Sequence, residues 1–99
     1  MAHPLRFEWD PAKNTANTRR HRVSFEEAST AFYDDDAILI DDPEHSETED
    51  RFVLLGLSAR LRLLIVPHSY RKGGGVIRFI SAWKAERRDH LDYFGRFKP

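Results

Sequence analysis

Phe7-Glu8-Trp9-Asp10-Pro11-Ala12-Lys13-Asn14, running on to Arg20-His21-Arg22-Val23-Ser24-Phe25-Glu26-Glu27-Ala28, reads as a short strand followed by two capped helices. Asp10 suits an N-cap, and Pro11 falls at the first helical position, where its missing N–H removes no hydrogen bond. Ser24 with Glu27 three residues on predicts a capping box, and Val23 is placed to staple onto Ala28. The first helix is expected over residues 11–21 and the second over 25–33, the latter with Phe25, Ala28, Ala31 and Phe32 at helical spacing. Lys13, Arg19, Arg20, His21 and Arg22 crowd around the first helix.

Outward from that stretch the pattern turns to strands. Residues 5–9, 37–40, 51–57, 61–69 and 76–82 are expected as strands, with a turn at Ser58-Ala59-Arg60, an exposed acidic loop over 41–50 and a glycine loop over 72–75. Pro67 cannot donate to a ladder and predicts an edge or a bulge. A polar helix is expected over 84–93. Short connections between consecutive strands favour an antiparallel meander. The fold class is therefore α+β: a small antiparallel sheet, a three-stranded meander plus the N-terminal strand, packed by two N-terminal helices and one C-terminal helix.

The chain has 99 residues, which suits one domain over 1–99 with a modest core, anchored by two Trp, seven Phe and three Tyr. No segment approaches the roughly 20 consecutive apolar residues of a membrane span, and no signal-like apolar stretch opens the chain, so a cytoplasmic location is expected. The absence of cysteine excludes disulfides, thiolate zinc sites and cysteine nucleophiles. A net charge of zero hides an uneven distribution: residues 26–50 hold eleven acids and no Lys or Arg, while 51–99 hold eleven Lys and Arg against three acids. Such a chain can present a basic face and an acidic rim, or simply two solvated faces.

Several residues could carry chemistry. Arg62 and Arg78 lie on expected central strands between apolar neighbours, so alternation puts both on an exposed sheet face. There they form either a bidentate phosphate clamp or surface ion pairs with the acidic segment. Ser81 either donates to a phosphate or caps the helix beginning at Lys84. His21 offers an imidazole among cations, a side chain suited to acid–base work, though a His in the last helical turn also complements the helix dipole. Lys84, Arg87 and Arg88 line the expected C-terminal helix and either hold an anionic partner or are solvated, and Tyr93, His68 and Tyr70 are reserves, of which His68 and Tyr70 share one strand parity and could stack on a planar ring or titrate. Asp41-Asp42-Pro43-Glu44-His45 lacks the fixed glycine turn and regular oxygen spacing of a cation loop, so it reads as solvated acid and no metal is expected.

The run Phe7-x-Trp9-Asp10-x-x-Lys13-Asn14-x-x-Asn17-x-x-Arg20-His21-x-Val23-Ser24-Phe25-Glu26-Glu27-Ala28 resembles the opening signature of the BrnT family, toxin ribonucleases of type II toxin–antitoxin systems. A second block agrees: Arg51-x-x-x-Leu55-Gly56-x-Ser58, Arg62-x-Leu64, and Ile77-Arg78-x-Ile80-Ser81-Ala82, with Tyr93 beyond. The resemblance implies a RelE-like architecture and a metal-independent endoribonuclease, a hydrolase of RNA without a cofactor, acting through attack by a ribose 2′-OH. With the resemblance, Arg62 and Arg78, which match the family's motif positions, are expected in the catalytic set together with His21 and Ser81, and Lys13, Arg20, Trp83, Lys84, Arg87, Arg88 and Tyr93 are expected as RNA-binding, Trp83 by stacking on a base. It implies a ribbon-helix-helix antitoxin (BrnA-like) that seats on a partly apolar patch, operator DNA contacted only through that complex, and a homodimer or heterotetramer. The alternative is an attenuated member that serves as a binding module and operon co-repressor. Three positions depart from the family pattern: Arg22 where Gly is common, Trp83 where Arg is usual, and Asp89 where Glu is usual.

Overall fold

Two long strands organise the molecule. In the computed structural model, which describes residues 5–42, 50–71 and 75–97, Arg51–Leu57 (β3) and Leu63–Arg71 (β4) pair antiparallel from Arg51 opposite Ser69 to Leu57 opposite Leu63. Ile38–Asp41 (β2) lies antiparallel along the outer side of β3, and Val76–Phe79 (β5) along β4. Phe7–Glu8 (β1) runs parallel to β5, and Trp83–Lys84 (β6) pairs with β4 beyond the end of β5. Pro11–His21 (α1), Phe25–Ala31 (α2) and Arg87–Phe94 (α3) complete the fold, with a 3₁₀ turn over Gly95–Phe97.

The class is α+β, as the sequence indicates. The sheet differs from the expectation in being mixed and six-stranded, in the order β1-β5-β4-β3-β2 with β6 beside β4. β1 and β5 are separated by two helices and three strands, a connection long enough for the parallel pairing that a tight hairpin forbids. Ile77 donates to the Arg6 carbonyl at 2.8 Å to start that pair.

The N-terminal caps form largely as read. Asp10 Oδ1 accepts from Ala12 N at 2.8 Å, and Ser24 Oγ accepts from Glu27 N at 3.0 Å. The other half of the Ser24–Glu27 box does not form, because the Glu27 carboxylate turns to a different partner; Asn14 Oδ1 accepts from the next donor along, Phe25 N, at 2.8 Å. α1 closes on Arg22 in the left-handed region (φ 60°), whose N–H donates to Thr18 O at 2.9 Å. That is the conformation a glycine would adopt with less strain.

Three boundaries move for identifiable reasons. β5 stops at Phe79 because Pro67 opposite has no N–H; Ile80 and Ser81 both turn their N–H groups to the Pro67 carbonyl, at 3.0 and 3.4 Å. α3 starts at Arg87 instead of Lys84, since Trp83 and Lys84 are in β6 and Ala85 N binds Leu63 O at 2.9 Å. Ser81 is therefore no cap for that helix; Glu86 is the N-cap, its N–H bound by Asp89 Oδ2 at 3.0 Å. β4 starts at Leu63, after a turn in which Leu61 takes φ 62° and Ser58 N reaches Arg62 O at 2.8 Å. Pro43-Glu44-His45 of the acidic loop and residues 72–74 of the glycine loop lie outside the described residues.

Alternation along β3 and β4 splits the core between the two sheet faces. Leu54, Leu64, Val66 and Phe79 pack with Val23, Phe25, Ala28, Ala31 and Ala82 under α1 and α2. Leu55 and Leu63 pack with Tyr93 under α3. Phe79 holds the first cluster together, its ring 5.4 Å from Phe25, 5.5 Å from Phe7 and Trp9, and 5.7 Å from Phe32. Among the described residues no helix is long and apolar enough to cross a membrane.

Candidate functional site

Lys13, Asn17, Arg20 and His21 recur at three- and four-residue spacing and so share one face of α1. Opposite them runs the segment displaced by the Pro67 irregularity. Between the two lies an open cleft of about 790 Å³ lined by Arg20, His21, Arg22, Ser81, Trp83, Lys84 and Glu86. That volume is in the range of small-molecule sites, enough for a nucleotide. An adjoining recess is lined by Lys13, Asn17, Arg20, His21, Ile80 and Ser81. The His21 imidazole and the Trp83 indole, both in the lining, lie against each other, centroids 5.9 Å apart and planes inclined at 44°.

Asn17 fastens the two walls together. Its Nδ2 donates to Val23 O at 2.9 Å and Ala82 O at 2.8 Å, while its Oδ1 accepts from Ser81 Oγ at 2.9 Å and Ala82 N at 3.2 Å. The side chain is buried and its amide hydrogens and oxygen are fully used. Sequence reasoning passed over Asn17; its helical spacing from Lys13 and His21 was the available signal. Ser81 is half-buried, and its hydroxyl hydrogen is committed to Asn17, leaving lone pairs towards the cleft.

The expected pair of guanidinium groups on one sheet face does not form. Arg62 precedes β4, and seven strand positions separate it from Ser69, the partner of Arg78. At about 3.3 Å per residue that is roughly 23 Å, too far for two arginines to grip one phosphate. Arg78 donates to Glu8 Oε1 at 3.2 Å, and Arg71 pairs with the same carboxylate at 3.3 Å. Arg62 binds both oxygens of Glu27, through Nη2 to Oε1 and through Nε to Oε2 at 2.8 Å, and its Nη2 also donates to Arg22 O at 2.9 Å. Ser58 Oγ donates to Glu27 Oε2 at 2.8 Å. The Arg62 guanidinium holds the Glu27 carboxyl below its usual range against the opposing effect of burial, and Glu27 raises Arg62 in turn. Arg62 thus stands behind the cleft, bracing the residue next to His21. Glu27, the acid that makes this possible, read in the sequence only as half of a capping box.

Other expected site residues are placed elsewhere. Tyr93 is buried, not at an RNA-facing surface: its hydroxyl donates to Asp34 Oδ2 at 2.5 Å, and burial together with that bond pushes it up to about 12. Arg87 and Arg88 are exposed on the first turn of α3, outside the lining of the cleft. His68 is fully buried, its Nδ1 2.8 Å from Val66 O and its ring 4.8 Å from Phe32 and 5.3 Å from Tyr70. Tyr70 is half-buried beside it. His68 is closed to a stacking base.

A family model described as the ribonuclease toxin, BrnT, of type II toxin–antitoxin systems matches residues 9–89. The chain belongs to the BrnT family. The match takes in both walls of the cleft, from α1 to the first turn of α3. BrnT proteins are ribonuclease toxins of type II systems, and membership in such a system implies an antitoxin partner. A search of curated proteins gives no match.

Proposed function

We propose that this BrnT chain is an endoribonuclease that cleaves RNA in the cleft between α1 and the Ser81–Glu86 segment, without a metal ion. The observation that carries this reading is the convergence of His21 with Lys13, Arg20, Ser81, Trp83 and Lys84 around one open cleft and its recess. Among the described residues Glu86 is the single carboxylate of the lining, against Arg20, Arg22 and Lys84, so the donor set suits a phosphodiester better than a divalent cation. In the mechanism we infer, His21 takes the proton of a ribose 2′-OH and the 2′-oxygen attacks phosphorus. Arg20 and Lys84 stabilise the charge that builds on the non-bridging oxygens. The P–O5′ bond breaks, leaving a 2′,3′-cyclic phosphate and a 5′-hydroxyl that takes up the proton. Trp83 stacks a flanking base, and Lys13 holds the strand beyond the recess. Asn17 and Arg62 position the walls. A ribbon-helix-helix antitoxin neutralises the toxin, and operator DNA is contacted through their complex.

Cleavage of a long RNA by purified protein in EDTA tests this. Wild type retains cleavage, His21→Ala falls at least a hundredfold, as loss of a general base does, and Arg78→Ala retains it. Cleavage by His21→Ala within a few-fold of wild type refutes the site. A second reading is favoured by one observation, the Trp83 ring set against His21 where the family usually has Arg: an attenuated toxin acting as a binding module and co-repressor. A folded, inactive wild type whose Trp83→Arg variant cleaves RNA establishes that reading instead.

A further inference from the structure

β2 is one outer edge of the sheet and carries Ile38-Leu39-Ile40-Asp41. Its pairing with β3 fixes which backbone groups are spoken for. Asp42 N donates to Arg51 O at 3.0 Å, and antiparallel bonding alternates, so Ile38 and Ile40 turn their backbone to β3. Leu39 and Asp41 therefore turn N–H and C=O outward, with no backbone partner among the described residues. Leu39 and Ile40 are 49% and 53% exposed, on opposite faces of the same edge.

An edge that a protein protects from pairing carries charge at its centre. Here the centre is apolar and the charge lies at the ends: Asp35 and Asp36 before the strand, Asp41 and Asp42 at its close. Arg96 reaches the Asp36 carbonyl at 2.6 Å, while Asp35 and Asp41 remain exposed. A second copy is a poor occupant. Paired antiparallel, β2 of one copy sets Asp35 and Asp36 beside Asp41 and Asp42 of the other; paired parallel, it sets each carboxylate beside its twin. Like charges facing each other across a strand pair oppose association.

We propose that the outer edge of β2 receives an extended segment of the antitoxin, apolar at its centre and flanked by Lys or Arg, which adds to the sheet as a further strand. Main-chain bonds to Leu39 and Asp41 supply the pairing, and the four carboxylates select the basic flanks. The inference rests on the presence of an antitoxin partner and not on the chemistry of the cleft.

Titration calorimetry of the full chain against the purified cognate antitoxin tests it. Leu39→Pro removes an outward N–H while leaving the Ile38 and Ile40 bonds to β3, a substitution that edge strands accommodate. It weakens binding at least tenfold. Asp35→Lys/Asp41→Lys, which leaves the backbone alone, also weakens it at least tenfold and flattens its salt dependence. This variant keeps the test decisive where Leu39→Pro lowers the urea midpoint. Affinities within twofold of wild type for the folded variants overturn the proposal. A wild-type homodimer in sedimentation that Leu39→Pro dissociates also overturns it, by giving the edge to a second copy. RNA cleavage by the free protein is unchanged in both variants. A chain that loses the antitoxin on these substitutions yet never cleaves RNA refutes the ribonuclease reading and leaves this surface standing.

Discussion

Removing Arg62 strands a buried carboxylate. Glu27 has 5% of its side chain exposed and three strong bonds, two from Arg62 and one from Ser58. In Arg62→Ala only Ser58 remains in contact, with Arg60 at 3.8 Å on a side chain that is 72% exposed. Breaking a buried pair from one side costs about 3–5 kcal/mol, and the partial exposure of Arg62 places this case near the lower end. The loss should shrink on acidification. In wild type the Glu27 carboxyl is held below its usual 4.5, so its stabilisation is present above that pH and is lost as pH falls through the lowered value. In the variant, burial is opposed only by the Ser58 bond and the distant, exposed Arg60, so the group is expected to rise; the folded state then binds the proton first and stability falls as pH rises through the raised value. The measurement is urea unfolding of both proteins at pH 7.5 and pH 5. Adding Glu27→Gln to Arg62→Ala removes the charge and should restore more than half of the loss at pH 7.5. A loss under about 1 kcal/mol, or one equal at both pH values, refutes the argument that a desolvated charge is what Arg62 compensates.

Three further outcomes follow from the fold. Arg22→Gly relieves a left-handed residue while keeping the carbonyl that Arg62 binds, and should stabilise by about 0.5–1 kcal/mol in urea unfolding; a loss means the Arg22 side chain has its own contacts. A Cβ at Gly56 would lie 2.9 Å from Ala31 O, a backbone atom, so Gly56→Ala should destabilise by about 1–3 kcal/mol, and a neutral result would show that α2 can shift from β3. Burial holds His68 below its usual 6.5, so the unfolded chain takes up the proton first and stability falls as pH drops below that value. His68→Leu should flatten the thermal midpoint between pH 6.5 and 5; an unchanged slope would assign the dependence to another group.

Local signals were the legible part. Asp10-Pro11 and Ser24 start their helices where the sequence places them, since a cap needs only its own neighbours within three residues. Arg51–Leu57 reads as a strand because an apolar run in a sheet shielded on both faces repeats no other period. Lys13, Arg20 and His21 were read only as crowding the first helix, although their three- and four-residue spacing already sets them on one face. Arg62 and Arg78 were misread as a pair because alternation applies within a strand, and Arg62 is held in a turn by a carboxylate 35 residues away. Ser81 was offered as a helix cap because the bulge opposite Pro67 and the short β6 are consequences of pairing with β4.

The sequence by itself determined the class, the first two helices, the central hairpin and the family, all of which rest on contiguous residues or on motif spacing. The tertiary structure alone decided which charged groups are spent. Glu27 with Arg62, Glu8 with Arg78 and Asp34 with Tyr93 are ion pairs or hydrogen bonds closed across 35, 70 and 59 residues. The Glu27 and Tyr93 bonds form because burial makes an unpaired polar group costly, while Glu8 and Arg78 meet because β1 pairs with β5; burial and strand pairing are properties of the packed chain that no local pattern carries. Arg20 and Lys84 are left out of that pairing and line the cleft beside His21, which is why the proposed site is drawn there.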